Sequence, residues 1–145
     1  MSSRYDLAPF SDYRSDSNLQ KYFSGNPLVQ RFIRDFLSRA FEYIGEASEP
    51  GDAILNAGCG EGLVMYLLNQ EFPERKFVGV DIDQDRLGIG RDAELMDLIQ
   101  GDVYELPFAS DRFDVVVMLE VLEHLQTPAA AIKEIKRVSR RAVVM

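Results

Sequence analysis

Residues 53–62 read Ala-Ile-Leu-Asn-Ala-Gly-Cys-Gly-Glu-Gly, and Leu63-Val64-Met65-Tyr66-Leu67-Leu68 follows directly. A short apolar run that breaks on closely spaced glycines and resumes as a longer apolar stretch reads as a buried strand, a tight loop and a helix. Moving outward, the pattern repeats. Lys76–Asp81 (KFVGVD) is a second strand that closes on an acid, and the polar stretch after it, with Leu87, Leu95 and Met96 as apolar positions, reads as a helix weakened by Gly88 and Gly90. Leu98–Gln100 leads into Gly101-Asp102 as a third strand, and residues 113–119 (FDVVVML) are too uniformly apolar to have a wet face. Thr127-Pro128 reads as a helix start. Ile132, Ile135 and Val138 line one face of that helix, and Lys133, Lys136, Arg137 and Arg140 suit the negative end of its dipole. Residues 142–145 form a fifth strand. On the amino-terminal side, Asn26-Pro27 begins an amphipathic helix with apolar positions 28, 29, 32, 33, 36, 37, 40, 41 and 44, ended by Gly45. The polar residues 1–26 carry Tyr5, Phe10, Tyr13, Tyr22 and Phe23, which fits an arm that covers something better than a disordered tail.

Strands alternating with helices imply the α/β class, with right-handed crossovers and helices on both faces of a mostly parallel sheet. The expected architecture is doubly wound and Rossmann-like. Residues 1–45 form an arm and a capping helix, and residues 46–145 form the ligand-binding domain. Ligands in such sheets sit at the carboxyl ends of the strands. Those ends carry the glycine loop at 58–62, Asp81, Asp102 and Glu120.

The balance of 16 Lys and Arg against 24 Asp and Glu gives a formal net charge of −8, which repels a phosphate backbone. The longest apolar run, residues 63–68, is far short of the ~20 residues that span a bilayer. The single cysteine can form neither an internal disulfide nor a Cys-rich zinc site. The expectation is a cytoplasmic protein that handles a small molecule, with no nucleic acid and no membrane as partner.

Glycines let a ligand approach the backbone, and amides at the start of the following helix favour an anionic group. Asp81 stands 19 residues after Gly62, the separation at which an acid ending the second strand accepts ribose hydroxyls. The pair points to a nucleoside. A dinucleotide would set a pyrophosphate beside Glu61, with Asp102 and Glu120 around the same mouth, which is electrostatically poor. S-adenosylmethionine carries a sulfonium, an ammonium and one carboxylate, and a ring of acids suits it better. A dehydrogenase is therefore a distant third reading.

Together the blocks ILNAGCGEG, FVGVDID, GDVYELPFASDRFDVVVMLEVLEHL and IKEIKRVSRRAVVM resemble the class I S-adenosylmethionine-dependent methyltransferases, specifically the small-molecule type found in quinone biosynthesis. The resemblance covers about residues 50–145. It implies a sheet of order 3-2-1-4-5, normally completed to seven strands, so that an incomplete version is expected here. It also implies roles. Ala57, Gly58, Cys59 and Gly60 back the methionine part, Asp81 holds the ribose, and Ile82 packs on the adenine. Asp102 and Val103 meet the amino edge, and Leu119 and Glu120 lie beside the methionine. Asn56 stands where the family usually has an acid, and it lacks the charge for the ligand's ammonium. Nothing resembles the strand-four motif of DNA amino-methyltransferases, because this chain reads Leu119-Glu120-Val121-Leu122 there.

His124 and Glu123 are the candidate general bases for an oxygen or nitrogen acceptor. Glu120, Glu123 and His124 could suggest a metal site, but His124 is the only histidine in the chain, and no metal is expected. Cys59 is expected to be a small buried residue rather than a nucleophile paired with His124. Tyr22 and Phe23 fit a lid. The fifth strand is expected to be an apolar edge covered by a partner or a second copy. Two functions follow: methyl transfer to a small-molecule acceptor, or a non-catalytic binding or assembly module that keeps the nucleoside pocket.

Overall fold

The computed structural model describes residues 6–14, 19–95 and 97–145, so Tyr5 of the arm and Met96 lie outside the described residues. Five strands pair in parallel in the order β3-β2-β1-β4-β5: β1 Ala53–Ala57, β2 Lys76–Asp81, β3 Leu98–Gln100, β4 Phe113–Val117 and β5 Ser139–Val144. This is the doubly wound Rossmann-like sheet expected from the sequence. The helices are α1 Pro27–Ala47, α2 Leu63–Glu71, α3 Gln84–Asp92 and α4 Pro128–Val138.

The period-2 alternation of side chains divides the core in two. Ile54 of β1, Phe77 of β2 and Val115 of β4 share one face with Leu37 and Ile44 of α1 and Met65 of α2. Leu55, Val80 and Val116 point the other way, onto Ala131, Ile135 and Val138 of α4. Both faces are therefore dry, as the uniformly apolar strands require.

Asn26 caps α1 as its sequence suggests, its side chain accepting from the Leu28 amide at 2.9 Å. Thr127 precedes α4 without a side-chain cap; its amide instead donates to the Tyr104 hydroxyl at 3.1 Å. Asp83 caps the start of α3, accepting from the Asp85 and Arg86 amides, and the helix stops at Asp92, before Leu95, where the backbone turns left-handed at Glu94, φ 64°. β4 ends at Val117 rather than at position 119, and β5 begins at Ser139, so Arg140 belongs to a strand and not to the end of α4. A register shift at the start of the β4–β5 ladder turns Arg140 and Arg141 outward, to Asp114 at 2.6 Å and to Asp52 respectively. Arg137 does lie in the last turn of α4, but its role is more specific than a dipole contact. It grips Glu134 through two nitrogens at 2.6 and 2.8 Å and donates to the Phe108 carbonyl at 2.8 Å, fixing the loop after β3.

The described part of the arm is a cover. Its 3-10 helix, Ala8–Tyr13, buries Phe10 fully against Tyr66 of α2, with ring centroids 5.4 Å apart at 70°. The Tyr13 hydroxyl donates to Asp92 at the end of α3 at 2.5 Å. Leu19 and Tyr22 are buried as the arm returns to the sheet. Among the described residues no helix is long and apolar enough to cross a membrane.

Replacing Phe10 with Ala is expected to lower the free energy of unfolding in urea by about 3–5 kcal/mol, the usual cost of emptying a buried aromatic site. A loss under about 1 kcal/mol would show that the arm is not part of the core.

Candidate functional site

The loop between β1 and α2 is built by its own backbone. Gly58, Gly60 and Gly62 all have positive φ, at 75°, 56° and 80°. At Gly58 a Cβ would also lie 2.5 Å from a Val121 methyl, so both conformation and space demand glycine there. The loop amides are spent inside the protein. Gly58 and Cys59 both donate to the Val80 carbonyl, at 2.8 and 3.0 Å, and Gly60 donates to Asp81 Oδ2 at 2.7 Å. Asp81 Oδ1 accepts from the Asp83 amide at 2.9 Å, so the carboxylate is held from two sides. Each oxygen keeps a lone pair for a further donor such as a hydroxyl.

Beside this loop lies a cavity of about 250 Å³, at the carboxyl ends of β1, β2 and β4. It gathers nine of the residues singled out from the sequence: Asn56, Gly58, Cys59, Gly60, Asp81, Leu119, Glu120, Glu123 and His124. The other four lie outside its lining. Ala57 is buried in β1 with its side chain in the opposite core. Ile82 is 66% exposed just beyond β2. Asp102 is exposed after β3, with its carboxylate on the Tyr104 amide at 2.9 Å, and Val103 is buried beside it. His124 and Glu123 sit on a short 3-10 helix, Leu122–His124, and are exposed. Glu120 takes a left-handed backbone, φ 56°, at the turn leaving β4, a conformation uncommon outside glycine.

Glu61 lines the cavity while only 6% exposed; it precedes α2 rather than belonging to its first turn, since Gly62 is the cap. Lys21, Tyr22, Val64, Arg86 and Val121 complete the wall. Tyr22 was legible as a lid residue from the aromatic content of the arm. Lys21 and Arg86 had no such signal, being single charges in polar segments. Lys21 forms an ion pair with Glu120, and Arg86 pairs with Asp83 at 3.3 Å. Four carboxylates thus face two permanent cations, leaving the wall net negative. Burial, then the charges of Glu120 and Glu61, raises the Tyr22 phenol well above its ordinary range. Burial, then the Asp81 charge, pushes the Cys59 thiol up to about 12. A thiol so placed is a poor nucleophile at neutral pH. Among the described residues no three His, Cys, Asp or Glu side chains converge as a metal site.

The Gly58, Cys59, Gly60 and Gly62 amides are already bonded, and the acids beside the loop suit a cation better than a pyrophosphate. A family model for a methyltransferase domain matches residues 55–144, and the chain belongs to that family. It is 36% identical over 107 residues to the ubiquinone biosynthesis O-methyltransferase of Azorhizobium caulinodans, covering 69% of this chain and 42% of that one. It is 32% identical over 127 residues to the 18S rRNA (guanine(1575)-N(7))-methyltransferase of Saccharomyces cerevisiae, covering 86% of this chain and 45% of the relative. A SAM-dependent methyltransferase of Aquifex aeolicus shares the fold, with a TM-score of 0.59 at 17% identity over 70% of this chain and 58% of that one. The chain spans less than half the length of these two curated relatives.

The raised thiol pKa has a direct consequence: at pH 8 Cys59 is almost wholly thiol when folded, whereas roughly a quarter is thiolate in an unfolded chain with an ordinary pKa of about 8.5. Iodoacetamide followed by mass spectrometry is expected to leave the native protein unmodified and to label it fully in denaturant. Rapid labelling of the native state would contradict the buried assignment.

Proposed function

We propose that this chain is the cofactor-binding part of an S-adenosylmethionine-dependent methyltransferase with a small-molecule acceptor. The observation that carries the reading is the cavity beside the glycine loop, where four carboxylates face two cations, supported by membership of the methyltransferase family. S-adenosylmethionine supplies a methyl group made electrophilic by its positive sulfur. The residues present fit that molecule: acids for a cation, a two-sided carboxylate for a ribose, and glycines for close contact.

In this proposal Asp81 accepts from the ribose hydroxyls through its remaining lone pairs, while the Gly60 and Asp83 amides keep it oriented. The exposed Ile82 side chain covers the adenine, and Asp102 with Val103 meets its amino edge. Asn56, Ala57, Gly58, Cys59 and Gly60 back the methionine part, with Leu119 and Glu120 opposite. Glu61, buried in the same wall as Asn56, is the nearby carboxyl that position 56 lacks. The protein's contribution to rate is alignment of the acceptor and exclusion of water. Where the acceptor attacks through oxygen or nitrogen, His124 takes its proton, or Glu123 does. Residues 1–45 act as cover and residues 46–145 as the binding domain. The net charge of −8 argues for a metabolite rather than RNA as acceptor, and the reading places the protein in the cytoplasm.

Isothermal titration with S-adenosylmethionine tests the binding roles. Asp81→Ala is expected to weaken binding at least about tenfold, the loss of roughly 1.4 kcal/mol or more of hydrogen bonding. Asn56→Asp is expected to tighten it by adding a charge for the ammonium; unchanged or poorer affinity removes that role for position 56. Transfer of labelled methyl to phenolic or quinone-like metabolites, and not to rRNA, is the expected activity of the protein. Transfer to rRNA alone would overturn the choice of acceptor.

A further inference from the structure

Lys21 comes from the arm, outside the matched methyltransferase segment, and reaches 99 positions along the chain to Glu120. The backbone that carries it is pinned on both sides. Leu19 is fully buried, Tyr22 is 4% exposed, and the Tyr22 amide donates to the Leu19 carbonyl at 2.9 Å. Gln30 of α1 donates to the Tyr22 and Ser24 carbonyls at 3.1 and 2.7 Å, tying the arm down beyond Lys21 as well. The Lys21 side chain can therefore change partner without the arm lifting. It is one-third exposed and Glu120 slightly more, so the pair is not locked by burial. Arg86, the other permanent cation in the wall, stands on α3 and already has Asp83.

Resting on the function proposed above, we propose that Lys21 is a specificity-determining residue that discriminates between the cationic sulfonium of the methyl donor and the neutral thioether left after transfer, by competing for Glu120. When the carbon–sulfur bond breaks, the methyl group goes to the acceptor, and sulfur keeps the electron pair and loses its charge. The two adenosyl compounds differ by that charge and that methyl group alone. The α-ammonium is common to both compounds and acts on Lys21 and Glu120 alike in each; the sulfonium adds a second positive charge that repels the Lys21 ammonium and draws on the Glu120 carboxylate, and the neutral sulfur does not. The Lys21–Glu120 pair is therefore weaker in the donor state than in the product state, which weakens the donor relative to the product.

Titration of the whole chain with S-adenosylmethionine and with S-adenosylhomocysteine, at low salt, tests this. Lys21→Met and Lys21→Gln are expected to tighten the sulfonium compound about three- to tenfold, as removal of one nearby like charge should. The thioether should change less than about twofold. Lys21→Arg, which keeps the charge, should keep the wild-type ratio of the two affinities. Equal changes for both compounds, or a ratio that moves as far in Lys21→Arg, would overturn the role of Lys21 while leaving the proposed function standing. Failure of the wild-type chain to bind either compound would remove both.

Discussion

The site depends on one local constraint, the tie between the glycine loop and the end of β2. The Val80 carbonyl takes two loop amides, and the Asp81 carboxylate takes the third. Because β1 and β2 are adjacent and parallel, with Ala57 level with Val80, the loop leaving one strand falls on the last residues of the other. Positive φ at three glycines is what lets the chain turn within so few residues. The outcome is a rim with four of its amides bonded within the protein and an adjoining carboxylate oriented from two directions. Preorganisation of this kind reduces the ordering cost of binding.

Charge then selects among the ligands such a rim could admit. The same architecture elsewhere serves dinucleotides, so the fold alone does not choose. Here Glu61, Asp81, Glu120 and Glu123 face one cavity, and the opposing Lys21 and Arg86 are each already engaged with a carboxylate. Glu61 lies deepest and Glu120 nearer the mouth, where its left-handed backbone brings it within reach of the arm. The arm thereby contributes both cover, through Phe10 and Tyr22, and charge, through Lys21.

What could be read from the sequence was whatever is encoded locally. Short apolar runs ending in glycine or acid mark β1 and β2 and put Asp81 beside the loop, because residues level in a parallel sheet share one end. The cap at Asn26 and the cover supplied by Phe10 were legible for the same reason. The ends of α3 and β5 were not. Asp83 starts α3 ahead of the apolar residues taken as its signature, and Arg140 is positioned by Asp114 across a strand rather than by the helix before it. Cavity-lining charges such as Lys21 were invisible because their partners are remote in sequence and have no periodicity. Ile82 and Val103 were suggested by family resemblance and Asp102 also by its place after β3; none of the three lines the cavity, and Val103 is buried in the core.

The central claim is that this cradle accepts a positively charged adenosyl sulfur compound rather than a phosphorylated dinucleotide. Crystals soaked in an equimolar mixture of S-adenosylmethionine and a nicotinamide dinucleotide decide it directly. The account predicts density for the sulfonium compound, with its ribose on Asp81 and its sulfur among the acids. A dinucleotide with its pyrophosphate on the glycine loop would contradict it.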